Sequence, residues 1–127
     1  MNTNKTIFKL AMTIILAIYA ISGHALALTK AELKSKLNQQ LDVRIGIMTD
    51  QVAELDDLKI SLSQSNNTGV TRYKLKYEVL KSAEGNFLKI TTHDAIREPI
   101  IEFTLDIGWS EGQIVREYSF LIDPPQN

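Results

Sequence analysis

Between Leu41 and Ile47 an apolar residue falls at every second position. Leu41, Val43, Ile45 and Ile47 alternate with Asp42, Arg44 and Gly46. Successive side chains of a strand point to opposite faces, so this spacing predicts a half-buried strand. Leu33, Ser35 and Leu37 show a weaker alternation just before it, and Asn38-Gln39-Gln40 supplies polar turn chemistry between the two. The pair is predicted to form a hairpin. Asp50 is placed to cap a short helical turn through Val52 and Leu55, because its carboxylate can accept the free N–H groups of a first turn. Leu58, Ile60 and Leu62 then resume the alternation as a third strand.

Gln64 to Thr71 is a loop by composition. Beyond it Tyr73, Leu75, Tyr77 and Val79 point one way, with Arg72, Lys74, Lys76 and Glu78 the other. Glu84-Gly85-Asn86 marks a turn, and Phe87 to Thr92 returns with Leu88 and Ile90 inward. The most regular stretch comes late, where Ile101, Phe103, Leu105, Ile107 and Trp109 share one strand face. Ser110-Glu111-Gly112 closes a hairpin. Gln113 to Ile122 then runs back with Val115 and Leu121 on one side and Ile114, Tyr118, Phe120 and Ile122 on the other, a pattern suited to a central or well-covered strand. Asp123-Pro124-Pro125 ends it, because proline has no N–H for a ladder. About seven strands and one short helical turn predict an all-β fold, a two-layer antiparallel sandwich of immunoglobulin-like kind. A small barrel is the competing arrangement.

The amino terminus follows different rules. Met1 to Lys9 carries Lys5 and Lys9 and no acid, and Leu10 to Ile21 is uncharged and mostly aliphatic. This is the pattern of a signal peptide, with Ala25 and Ala27 as the small residues before a cut at Leu28. Residues 1–27 are therefore expected to be removed, leaving one domain over 28–127. Twelve helical residues rise only about 18 Å against a hydrocarbon core of about 30 Å, too short for an uncleaved membrane anchor, and nothing later in the chain resembles a second span, so no membrane span is expected after cleavage. The chain has 127 residues, with 14 Lys and Arg against 15 Asp and Glu; without the two leader lysines 12 face 15. A nucleic-acid binder of this size would be basic, so the lysines around Tyr73 are read as a solvated sheet face. Export of a cysteine-free domain points to the periplasm, where about 100 residues can fold on their core alone.

Little in the chain offers catalysis. The absence of cysteine removes disulfides, thiol nucleophiles and thiolate metal sites. Beyond the leader there is one histidine, His93, beside Asp94 and expected in the loop before Ile96. No serine-presenting elbow accompanies it. Glu54, Asp56 and Asp57 lack the alternating ligands and turn glycine of a calcium loop. No cofactor, metal or catalytic residue is assigned.

Two stretches carry a family resemblance. Leu37-Asn38-Gln39-Gln40-Leu41, continuing to Ile45, resembles a hairpin found soon after the signal peptide in the amino-terminal domain of the FimV family. Ile96-Arg97-Glu98-Pro99, continuing through Phe103 and Trp109 to Arg116-Glu117-Tyr118 and Leu121-Ile122-Asp123-Pro124-Pro125, is similar to the same domain. The resemblance implies a periplasmic, non-catalytic module of an envelope scaffold for type IV pilus assembly, twitching motility and secretin assembly. Gln40 stands where that family has proline. Family members continue past the position of Pro125 into a LysM module, a membrane span and cytoplasmic repeats, so the chain is read as the family's first domain made as a free protein. No affinity for peptidoglycan is expected of it.

The expected partner is a protein of the pilus or secretin assembly. The alternative is a periplasmic domain that binds a small ligand or inhibits an enzyme, which requires a concave pocket with convergent polar groups. Arg97 and Glu98, like Arg116 and Glu117, suit either partner contacts or cross-strand ion pairs of the last hairpin.

Overall fold

The structure, a computed structural model, describes residues 3–19, 25–64 and 71–125. Seven strands follow a helix α1 at Thr3–Tyr19: β1 Leu26–Leu33, β2 Gln40–Thr49, β3 Lys59–Ser63, β4 Leu75–Ser82, β5 Gly85–Ala95, β6 Ile100–Trp109 and β7 Gly112–Leu121. A 3-10 helix at Val52–Asp56 joins β2 to β3. One sheet runs in the order β1-β2-β5-β4 and the other β3-β6-β7, and every pairing is antiparallel. This is the expected two-layer sandwich.

The core follows from the alternation. Leu41, Val43, Ile45 and Ile47 of β2, Leu88 and Ile90 of β5, and Ile101, Phe103, Leu105 and Ile107 of β6 are all buried in one cluster. These are the middle strands of their sheets, so only they have covered neighbours on both sides. Phe103 stacks with Tyr118 and Phe120 of β7 at ring-centroid distances of 5.6 and 5.9 Å. Such aromatic pairs add to the stability gained from burying their area.

Several expectations change. The first strand is Leu26–Leu33, not Leu33–Leu37; it pairs with β2 as expected, but residues 34–39 form the connection. A register shift between Leu28 and Ala31 breaks its alternation. There Thr29 Oγ1 accepts the Gly46 N–H at 2.9 Å, and a side chain at Gly46 would collide with that threonine. The residue before the 3-10 helix is Gln51 rather than Asp50, and Gln51 makes no side-chain cap. Trp109 is half-buried rather than core: its ring lies over Gly112, where an added Cβ would come within 2.8 Å of it. β7 is an edge strand, not a central one, with Val115 57% and Leu121 72% exposed.

Helix α1 lies within the expected leader and leaves Ile7, Phe8 and Leu10 exposed. No described helix is long and apolar enough to cross a membrane. Leu26, just upstream of the expected cut, is buried in the core and pairs with Thr49.

Burial ranks the last hairpin's aromatics. Phe103→Ala should cost about 3–5 kcal/mol, because Phe103 is 2% exposed. Trp109→Ala should cost less, about 1–3 kcal/mol, as expected for a side chain already partly in solvent. Denaturant melts of the two variants check that order.

Candidate functional site

Part of the residues that carry the resemblance, at 37–41, 96–99 and 122–123, come from segments more than fifty positions apart and meet at one end of the sandwich. Asn38 takes the left-handed conformation, φ 68°, which asparagine tolerates better than most residues. It lies in a turn closed by the Gln39 N–H donating to the Lys36 carbonyl at 3.2 Å, while Gln39 Oε1 accepts the Lys36 N–H at 2.9 Å. This turn aims its backbone at the segment after β5. The Asn38 N–H donates to the Ile96 carbonyl and the Ile96 N–H to the Gln39 carbonyl, both at 2.8 Å.

The chain end joins the same knot. The Leu37 N–H donates to the Asp123 carbonyl at 2.9 Å, and the Ile122 N–H to the Pro99 carbonyl at 2.7 Å. Tyr73 Oη accepts the Arg97 N–H at 3.1 Å. Beneath these bonds Leu41, Ile96 and Ile122 are buried. Leu37, Asn38, Gln39, Pro99 and Asp123 thus take part through their backbones. Arg97, Pro99, Asp123, Pro124 and Pro125 leave their side chains exposed, and Glu98 accepts hydrogen bonds from the backbone and hydroxyl of Thr71.

Two residues that sequence reasoning passed over hold this end together. Thr92 is the buried polar residue in the row Leu88-Ile90-Thr92, 3% exposed. Its Oγ1 accepts the Leu41 N–H at 2.9 Å and donates to the Asp94 carbonyl at 2.7 Å. A threonine at an inward strand position was the available signal. Gln64 accepts the Tyr73 N–H through Oε1 at 2.7 Å and donates from Nε2 to the Glu102 carbonyl at 3.2 Å.

Arg116 and Glu117 sit elsewhere, mid-way along β7. Their cross-strand neighbours are Leu105 and Thr104, so they form no ion pair across the hairpin. Burial raises the pKa of Tyr118 above its ordinary value. Arg116 opposes that rise, but among the described residues Tyr118 Oη forms no geometrically sound hydrogen bond.

His93 lies on β5, not in a loop. It is exposed, its N–H donates to the Lys74 carbonyl at 3.2 Å, and its own carbonyl accepts Gln40 Nε2. Asp56 pairs with Lys81, and among the described residues no group of three potential ligands is placed to hold a metal. A cavity of about 350 Å³ is bordered by Glu98, Pro99, Ile100 and Glu102. Another, of about 180 Å³, lies on the outer face of the larger sheet, against Lys30, Lys34, Arg44 and Phe87.

Comparison with known proteins agrees with this architecture. The family model described as the FimV N-terminal domain, an Ig-like domain, matches residues 26–125. The chain is 31% identical over 129 aligned residues to the motility hub protein FimV of Pseudomonas aeruginosa strain PAO1, and equally to that of strain UCBPP-PA14. The alignment takes in 89% of this chain and 14% of each relative, so the chain spans a small part of their length. No solved structure matches it significantly.

The hydroxyl of Thr92 gives the clearest test of the knot. Thr92→Val keeps the shape but leaves the Leu41 N–H buried without an acceptor, so it should cost about 1–3 kcal/mol. Chemical denaturation measures the loss, and hydrogen exchange should locate it at residues 37–41 and 94–97.

Proposed function

The chain belongs to the family of FimV N-terminal Ig-like domains, and from that premise we propose that it is a non-catalytic interaction module of the cell envelope. It works in the periplasm, on the assembly of type IV pili or their secretin. The family match over residues 26–125 carries this reading. The relatives' name, motility hub protein, supports a role in bringing components together. The site chemistry points the same way. Leu37, Asn38, Gln39, Ile96, Pro99 and Asp123, which carry part of the resemblance, are spent on backbone bonds that close the sandwich. Such a domain acts by presenting a shaped surface.

Export follows from the leader, and the sandwich bears on where it is cut. A cut before Leu28 removes Leu26 and Ala27, the first two residues of β1, and the burial of Leu26 is worth roughly 1.5–3 kcal/mol. A cut after Ala25, with Gly23 and Ala25 as the small residues, keeps the strand whole. The exported form should therefore begin at Leu26 and fractionate with soluble periplasm. Amino-terminal sequencing decides between Leu26, Leu28 and an uncut Met1.

Deleting the gene should lower twitching, pilus number or secretin multimer level, and adding it back should restore them. His93→Ala should restore them equally well. Wild-type assembly in the deletion strain removes the scaffold reading, and failure of a folded His93→Ala protein points to catalysis or ligand chemistry.

A further inference from the structure

A two-sheet sandwich has four edge strands, each with a row of backbone groups that no neighbour uses. Proteins protect such edges with bulges, charges or short strands. Here three of the four are protected. β1 is broken by its register shift at Leu28–Ala31. β3 is five residues long. β4 carries Lys76, Glu78 and Lys81 in eight residues, and Lys81 is tied to Asp56. β7 carries two charges, Arg116 and Glu117, but has neither a break nor a short span. It is ten residues long and pairs with β6 without a break from Gly112 to Leu121.

The side chains of β7 are also unfinished. Ile114, Tyr118 and Phe120 lie on the core side but are only partly buried. Val115 and Leu121 are exposed on the other face. Arg116 stands exposed in the core-side row between Ile114 and Tyr118, opposite Leu105. Among the described residues no carboxylate forms an ion pair with it.

We propose that the free edge of β7 is a docking site for an extended segment of a partner protein, which adds a fourth strand to the sheet β3-β6-β7. This deepens the interaction-module reading and rests on it. The edge sets the chemistry of the segment. Backbone pairing supplies affinity, and alternate side chains supply choice. Apolar residues belong beside Ile114, Tyr118 and Phe120, and an acidic residue belongs beside Arg116. A second copy of this chain fits less well. Continuing the sheet through a two-fold axis, the two antiparallel registers that pair most of β7 set Arg116 against Arg116 or Glu117 against Glu117. Like charges directly opposite one another repel.

The test uses the isotope-labelled full chain and two synthetic peptides of about nine residues, the length of the strand to be paired. Both alternate valine and threonine, and they differ only in a central glutamate or lysine on the valine face. The glutamate peptide should perturb and protect amides along 112–121 and bind roughly fivefold more tightly than the lysine peptide. Arg116→Glu, at an exposed position, should reverse that preference. Shifts confined to β1 or β4, no saturation by either peptide, or an unchanged preference in Arg116→Glu each overturn the proposal. Self-association through β7 without peptide overturns it in favour of a second copy. These results are independent of the deletion phenotype: a wild-type deletion strain refutes the scaffold reading, whereas silent peptides with a defective strain refute only this edge.

Discussion

Everything in this domain depends on the face-to-face contact of two sheets across the inward rows of β2, β5 and β6. Leu41, Val43, Ile45 and Ile47, Leu88 and Ile90, and Ile101, Phe103, Leu105 and Ile107 make up most of the buried core, and they occupy alternate positions. Because the side-chain period is two, a slip of one residue would turn a whole row into water. Without cysteine there is no crosslink to hold a wrong register or rescue a thin core, so burial sets both the fold and its stability. The strands outside this contact, β1, β3, β4 and β7, are edges and correspondingly looser.

That dependence explains what could be read from the sequence. The middle strands were legible because each buries one face and solvates the other, which is what alternation reports. The edges were harder. Alternation at β1 is interrupted by the register shift at Leu28–Ala31, and its first residues were assigned to the leader, so the strand was placed some seven residues late. At β7 the apolar residues on both faces suggested cover from both sides. Local pattern cannot say how many neighbours a strand has, and Val115 and Leu121 are in solvent.

The end of the sandwich was legible in another sense. Its residues were picked out by resemblance, but their work was invisible, because it is done by main-chain groups. Nothing in the side chains of Leu37 or Pro99 announces that their N–H or C=O meets Asp123 or Ile122. Only Thr92 and Asn38 leave a trace, one as a hydroxyl in an apolar row and the other as a residue suited to φ 68°. A helical cap at Asp50 was chemically reasonable, yet the capping position falls one residue later on Gln51, whose N–H donates to Thr49 Oγ1.

The resemblance residues do two kinds of work in the fold: those of the turn at 37–39 and the segments at 96–99 and 122–123 close it through main-chain bonds, whereas Phe103, Arg116, Glu117 and Tyr118 lie along the β6-β7 pair. Segments 37–41, 96–99 and 122–125 close the fold, so substitutions there should be felt first as lost stability, with any loss of binding a consequence of unfolding. Val115, Glu117 and Leu121 of β7 are exposed, so substitutions there should cost the core little. Apolar residues retained on an unprotected edge carry an aggregation risk. β7 runs unbroken for ten residues with Arg116 and Glu117 as its charges, so those two side chains are its guard against unwanted pairing.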